Sequence, residues 1–211
     1  MDADLFLEGS SQPYIPSFPN YLKHLPNAES LFNEQTLEWI RTETKPKVFI
    51  LSFPFHDGAL RAYSRIGQDR APDSLREIIN LKAVPSANCR DLDLQKISII
   101  DCRDVKVQGL GEWEMPSLEE TYEALTRIVK QIQKEFPGSK MVIIGGSNDL
   151  TMGLLPCLED QARILHIDNS TDTRAHFSGG KIHHQSFYRT VYSSPETISR
   201  IAQITHFGVQ G

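Results

Sequence analysis

The sequence predicts an α/β protein in which a mainly parallel sheet carries helices on both faces. Five short apolar runs are rich in β-branched residues, and most of them are nearly continuous, as expected of strands buried on both sides of a parallel sheet. Amphipathic segments lie between these runs, and such an alternation favours right-handed crossovers within one open sheet. The predicted strands span residues 45–53, 96–103, 140–146, 162–168 and 204–210.

Three segments have the spacing of amphipathic helices. In the clearest of them, Ser117 to Phe136, apolar residues recur at helical spacing, and Ser117 forms a capping box with Glu120. Ala71 to Leu81 predicts a shorter helix with a proline in its first turn. Asn33 to Glu43 predicts another helix before the first strand.

Length and composition restrict the classes of function. The 211 residues suffice for one domain with a sizeable core. A net charge of −5 without a dense Lys/Arg cluster argues against a nucleic-acid binder. No stretch reaches the roughly 18 apolar residues of a membrane span, and the N-terminus lacks the pattern of a signal peptide. We therefore expect a small-molecule partner, no nucleic acid and no membrane.

The cysteines indicate a reducing compartment. Cys89, Cys102 and Cys157 are odd in number, lie far apart and form no CxxC pair. Each lies in or beside an apolar run, so we expect buried free thiols in a cytoplasmic protein.

Residues 1–44 match none of the motifs that follow and contain several prolines and aromatic residues. We expect them to form an extension that packs on the domain surface or against an oligomer partner. The α/β domain is then expected to span residues 45–211.

Chemically dense segments follow three of the predicted strands. Ligands of open α/β sheets bind beyond the carboxyl ends of the strands, so these segments are the candidate site. They are "FPFHDGALRAYSRIG" after the first strand, "GGSNDLTMG" after the third and "DNSTDTRAH" after the fourth.

The second and third of these segments each allow two interpretations. In "GGSNDLTMG" the glycines permit a tight turn, and Asn148 or Asp149 either contributes to a site or is simply the N-cap of a helix. In "DNSTDTRAH", Asp168 and Asp172 are hard oxygen donors that suit Mn²⁺ or Mg²⁺. Alternatively, Asp172 pairs with Arg174 or Arg163 and Asp168 caps a turn.

Taken in order, these segments resemble the ureohydrolase family of arginase, agmatinase and formimidoylglutamase. The family patterns are GVxxNxGRxGxxxGPxxIR, GGxHS, DAHxD and HGxxFRR, followed by a DxD segment. "GGSNDLTMG" and "DNSTD" correspond to the second and third patterns, and "HHQSFYR" corresponds to the fourth through His183, Phe187 and Arg189. In the first pattern, Gly58, Arg65, Gly67, Pro72 and Arg76 match, whereas Ala62 and Ala71 replace its Asn and a Gly.

The resemblance covers about residues 45–211 and implies a three-layer α/β/α fold of the arginase type. The implied strand order is 2-1-3-8-7-4-5-6, in which the last two strands lie between the third and the fourth. No DxD segment follows "HHQSFYR" before the sequence ends at "HFGVQG", so we expect the chain to be truncated before those strands.

In the family, two manganese ions about 3.5 Å apart activate a shared water that attacks a guanidine or amidine carbon. Carried over by position, Asp168 and Asp172 are metal ligands, but Asn148 and Ser170 stand where the family has histidines. An amide and a hydroxyl bind divalent transition metals more weakly than imidazole, so Mn²⁺ binding is expected to be weak or lost.

The resemblance implies further site residues. His183 matches a histidine that shuttles protons, and together with Asp172 it is the catalytic candidate; alternatively, it belongs to a polar loop with His184 and His176. Arg65, His56 and Asp57 are the substrate-binding candidates. Arg61, Arg65 and Arg76 either bind an anionic substrate or form ion pairs. His166 and His206, within strands, are expected to be core histidines.

Two functions follow from this resemblance. The favoured one is a non-catalytic ureohydrolase homologue with a weakened or lost dinuclear manganese centre. The alternative is an active metal-dependent hydrolase of linear C–N bonds in amidines or guanidines, resembling formimidoylglutamase. Trimers or hexamers are the oligomers that the resemblance implies.

Overall fold

The computed structural model describes residues 22–25, 31–82, 94–105, 107, 117–176 and 180–210. Six strands lie in these ranges: β1 Leu22–His24, β2 Lys47–Phe53, β3 Ser98–Asp104, β4 Lys140–Gly145, β5 Ala162–Ile167 and β6 Ile201–Phe207. The α-helices are α1 Glu34–Thr42, α2 Asp57–Arg61, α3 Ala71–Lys82, α4 Leu118–Glu135, α5 Phe187–Ser193 and α6 Pro195–Ser199. Short 3₁₀ helices span Gln68–Arg70, Leu94–Lys96 and Asn148–Cys157.

The predicted strands and helices are confirmed with small shifts at their ends. The largest shift is in β6, which begins at Ile201 rather than Ile204. The predicted capping box starts α4: the Ser117 backbone N–H donates to Glu120 Oε2 at 2.6 Å, and the Glu120 N–H donates to Ser117 Oγ at 3.2 Å. The helix begins here because these two side chains satisfy N–H groups that have no partner within the helix.

The chain divides into two compact units, where composition alone suggested one domain. The first unit comprises Met1–Pro54, Arg70–Lys106 and Phe136–Ile144. Its sheet has the strand order β1-β3-β2-β4, and β1 and β2 both run parallel to β3. Its apolar interior is built from the continuous runs of the sequence, as shown by the fully buried side chains of Phe49, Leu51 and Ile100.

The second unit comprises Phe55–Asp69, Val107–Glu135 and Gly145–Gly211. Its two strands, β5 and β6, are parallel and pair His166 with His206. One face of this pair packs on the buried side chains of Phe187, Tyr188 and Val191. On the strands themselves, Leu165, Ile167 and Phe207 are exposed.

The predicted α/β class with parallel strands is confirmed. The order β3-β2-β4 reproduces the 2-1-3 part of the strand order that the resemblance implies, and β5-β6 reproduces its 4-5 part. The described helices include none that is long and apolar enough to cross a membrane.

Two further predictions are met only in part by the described residues. Within the expected extension, Leu22–His24 pairs with β3 as a strand of the sheet, and the boundary at residue 45 stays a prediction. Cys102 is a buried free thiol and Cys157 is a half-buried one, whereas Cys89 lies outside the described residues.

Candidate functional site

The segments that follow β2, β4 and β5 lie in the second unit, and glycines allow two of them to approach closely. A side chain at Gly146 would collide with the carbonyl of Phe55, and the neighbouring Ser147 N–H donates to that carbonyl at 3.1 Å. A side chain at Gly58 would likewise collide with the Asp149 carboxyl group. Gly146 and Gly58 are therefore required by packing between these segments.

The loop after β5 is held by its own side chains. Asp168 Oδ1 accepts from the Ser170 N–H at 3.0 Å, so Asp168 does cap a turn. Ser170 Oγ in turn accepts from the Asp172 N–H at 3.2 Å. Asp172 has a φ of 50° and its residue surface is only 3% exposed. The loop thus places one carboxylate at the surface of the unit and one inside it.

Asn148 lies against the inner carboxylate. Its side-chain Nδ2 donates to Asp172 Oδ2. Neither Asn148 nor Asp149 is the N-cap of the 3₁₀ helix, because that position is taken by Ser147. The structure therefore brings together residues 148 and 172, two positions at which the family patterns have metal ligands.

His166 completes a group that could hold a metal ion. Its Nε2 lies 3.7 Å from Asp172 Oδ2 and 4.0 Å from Asp168 Oδ2. One ligand atom from each of the three residues lies within 4.8 Å of the others, and the described residues contain no other such group. The sequence signal was present: residues 166 and 168 are two apart at the end of a strand and so share a face.

His206 and two tyrosines surround His166. The Nδ1 atoms of the two histidines are 3.0 Å apart, and His206 Nε2 lies 2.9 Å from Tyr192 Oη. The ring of Tyr188 lies 4.7 Å from both imidazoles. Burial lowers the pKa of His206, and burial raises the pKa of Tyr188 to about 12. Both histidines are therefore partnered within the unit, but His166 also faces the loop.

Asp149 belongs to a separate buried group. Tyr122 Oη donates to its Oδ2 at 2.9 Å, and Ser147 Oγ donates to its Oδ1. Burial raises the pKa of Asp149, although these hydrogen bonds oppose the rise. The carboxyl group thus fixes the start of the 3₁₀ helix and is not part of the His166 group.

The catalytic candidate His183 is buried and bonded to the backbone. The Gln185 N–H donates to its Nδ1 at 3.3 Å, so the proton of the neutral ring is on Nε2, which donates to the Ala175 carbonyl at 3.0 Å. The two histidines considered with it also have partners: His184 Nε2 lies 3.3 Å from Ser64 Oγ, and His176 Nε2 lies 2.9 Å from Thr190 Oγ1. Burial lowers the pKa of His176. A proton-shuttle role for His183 stays a prediction.

Two of the three candidate arginines form ion pairs. Arg61 donates to both oxygens of Glu119, at 2.8 and 3.0 Å, and the hydrogen bond to Glu119 raises the pKa of Arg61. Arg76 is buried in the first unit, where it pairs with Asp101 and Asp104. Arg65 is exposed, and within the described residues it makes no ion pair, so it remains the substrate-binding candidate.

The remaining substrate-binding candidates lie beside one another at the start of α2. His56 Nδ1 is 2.9 Å from Asp69 Oδ1, and Asp57 Oδ2 is 3.8 Å from Arg61 Nε. Both side chains are partly exposed. Contact of His56 or Asp57 with a substrate stays a prediction.

Solved structures of related fold were found for this chain. Formiminoglutamase from Trypanosoma cruzi, solved with Mn²⁺₂ and also as an asparagine-to-histidine variant with Mn²⁺₂, matches with a TM-score of 0.65 and 22% identity over 88% of this chain and 58% of that chain. Formimidoylglutamase from Bacillus subtilis matches with a TM-score of 0.64 and 12% identity over 95% of this chain and 55% of that chain. A putative agmatinase from Clostridium difficile matches with a TM-score of 0.59 and 19% identity over 79% of this chain and 56% of that chain.

The chain thus spans less than two thirds of the length of these structures, and the similarity to them is one of fold. No curated protein sequence matches the chain significantly. The arginase family profile, however, matches residues 46–211, which include every motif described above. The chain belongs to the arginase family.

Proposed function

We propose that this chain is a ureohydrolase homologue whose dinuclear manganese centre is weakened or lost and whose hydrolase activity is little or none. The hydrogen bond from Asn148 to Asp172 carries this proposal. Because the carboxylate can only accept, the amide presents its NH₂ group, which cannot bind a metal. A histidine here would instead present a nitrogen lone pair.

The second substituted position supports the same conclusion. Ser170 Oγ accepts from the Asp172 N–H, so the hydroxyl stabilises the loop. A neutral hydroxyl is also a weak ligand for divalent transition metals. Of the four ligand positions that the resemblance covers, two retain carboxylates and two carry side chains bonded within the protein. The described residues do not fit a centre for two manganese ions.

A second candidate function is an active metal-dependent hydrolase of amidines or guanidines, similar to formimidoylglutamase. The observation that favours it is His166, which offers an imidazole beside Asp168 and Asp172. For either function we propose a small amidine or guanidine as the ligand and a trimer or hexamer as the assembly. We also propose a cytoplasmic location, supported by the free thiols of Cys102 and Cys157.

Metal analysis after purification in Mn²⁺ tests the proposal directly. We expect fewer than two manganese ions per chain, no release of urea from agmatine or arginine, and no release of formamide from formiminoglutamate. The double variant Asn148→His with Ser170→His is expected to raise Mn²⁺ affinity because it restores two nitrogen donors. Asn169→His is the matched control, since residue 169 is exposed and adjacent to Ser170. Two tightly bound manganese ions in the unaltered chain would refute the loss of the centre.

A further inference from the structure

Asp172 is a buried carboxylate that no lysine or arginine of the described residues balances. Its surface is 3% exposed, and no lysine or arginine of the described ranges forms an ion pair with it or with Asp168. Among the described residues, the basic group within 4 Å of Asp172 is the His166 imidazole. Buried charges in proteins are paired or coordinate a metal, because an uncompensated charge is costly to remove from water. This part of the unit therefore favours a bound cation.

The surroundings of His166 fix which of its nitrogens faces the carboxylates. Residues 166 and 206 are register partners on the two parallel strands, and their Nδ1 atoms lie 3.0 Å apart. Hydrogen bonding between two Nδ1 atoms requires one to donate and the other to accept. If His166 Nδ1–H donates, the other ring carries its proton on Nε2, which donates to Tyr192 Oη at 2.9 Å.

In this one of the two possible proton arrangements, Nε2 of His166 is an unprotonated nitrogen that lies 3.7 and 4.0 Å from the carboxylates of Asp172 and Asp168. Metal-binding histidines typically have the other ring nitrogen hydrogen-bonded in this way, which fixes the tautomer and the ring orientation. His206 would thus hold the imidazole ring of His166 in the orientation that metal binding needs.

We propose that His166 Nε2, Asp168 and Asp172 bind a single divalent transition-metal ion, with Zn²⁺ preferred over Mg²⁺ or Ca²⁺. The proposal rests on the loss of the dinuclear centre argued above. One neutral imidazole and two carboxylates carry a charge of about −2, which balances a divalent ion. The imidazole is the donor that favours Zn²⁺ over the alkaline-earth ions.

The distances are compatible with one ion. Ligand atoms about 2.0–2.1 Å from a tetrahedral ion lie roughly 3.3 Å from one another. The Nε2 to oxygen distances of 3.7 and 4.0 Å exceed this by a few tenths of an ångström, which small side-chain rotations can close. The imidazole comes from strand β5, not from positions 148 or 170, so the site differs in its donors from the one that the resemblance implies.

Titration of the metal-free full chain with Co²⁺, followed by competition with Zn²⁺, tests the proposal without an activity assay. We expect one Co²⁺ per chain with the visible absorption of a nitrogen-containing site of low coordination number. His166→Gln and Asp168→Asn are each expected to weaken binding by at least about 100-fold, and His206→Gln by about 10-fold through loss of orientation. His176→Gln, a histidine outside the group, is the matched control and should leave affinity unchanged.

Circular dichroism and the thermal midpoint show whether each variant is folded. Asp168→Asn keeps the test valid if His166→Gln unfolds, because the Asp168 side chain is 33% exposed. Absence of binding overturns the single-ion site but leaves the proposed loss of the dinuclear centre standing. Binding that is unaffected by His166→Gln, or weakened equally by His176→Gln, also overturns it. Two tightly bound ions would contradict both proposals.

Discussion

Replacing Arg76 by methionine should destabilise the chain strongly, because its guanidinium joins the ends of β2 and β3. The Arg76 side chain is 10% exposed and that of its main partner, Asp101, is 1% exposed. Arg76 donates to both oxygens of Asp101 at 3.2 and 3.1 Å, to Asp104 Oδ1 at 2.6 Å and to Ser52 Oγ at 2.7 Å. Arg76→Met removes all four hydrogen bonds and leaves a buried carboxylate.

Removing one partner of a buried ion pair costs about 3–5 kcal/mol, because the remaining charge is unpaired. Asp101 keeps the Arg103 N–H at 2.9 Å, and its Oδ2 lies 3.8 Å from the Arg103 Nη1, so the expected loss lies at the lower end, about 3 kcal/mol. The double variant Arg76→Met with Asp101→Asn removes both charges and should cost less than the sum of the single variants.

Urea denaturation at pH 7 measures these losses, with Arg61→Met as the matched control. Arg61 pairs with Glu119, whose side chain is 59% exposed, so its replacement should cost no more than about 1 kcal/mol. The reasoning fails if Arg76→Met lowers the free energy of unfolding by less than about 1 kcal/mol. It also fails if the losses of the two single variants simply add up in the double variant.

Three further predictions concern stability. Burial raises the pKa of Asp101, but bonds from Arg76 and Arg103 outweigh this effect and lower the pKa overall. The stability that Asp101 contributes is therefore present above about pH 4 and lost as the pH falls through the lowered pKa, so the unfolding free energies of the wild-type chain and Asp101→Asn should converge in acid. Ser117→Ala should cost about 1 kcal/mol in urea denaturation by removing half of the capping box, and a neutral result would contradict that role. Gly146→Ala should lower the free energy of unfolding by about 1–3 kcal/mol, because the added methyl group would collide with the Phe55 backbone. In Gly145→Ala the methyl group would meet the Leu150 side chain, which can move, so this variant should lower the thermal midpoint less than Gly146→Ala does.

The regular elements could be predicted from the sequence because their signals are local. The apolar run of β2 and the Ser117–Glu120 pair lie within a few residues of the structures that they specify. The strand order also agreed with the one that the motifs imply. The division into two units could not be predicted, since composition shows no boundary that would correspond to it.

The candidate site was predicted in part. The sequence did not predict His166 as a member of the site, and there is a physical reason for this. Asp168 and Asp172 could be recognised as oxygen donors in a loop, but His166 was interpreted as a core histidine. Its role depends on the register of β5 with β6, which pairs positions 40 residues apart and has no local signal. Similarly, the sequence left Arg76 open between anion binding and ion pairs, and only the positions of Asp101 and Asp104 decide for ion pairs.

Four departures from the family patterns around this site share one physical property. Asn148 and Ser170, at histidine positions, hydrogen-bond to Asp172. Ser64 and His184 both replace glycines of the patterns; His184 Nδ1 donates to the Gly58 carbonyl at 3.3 Å, so its Nε2 accepts from Ser64 Oγ. In each case a side chain that departs from the pattern forms a bond within the protein. The loops are therefore held in place by the chain's own hydrogen bonds, an arrangement that does not require two metal ions to keep Asp168 and Asp172 together.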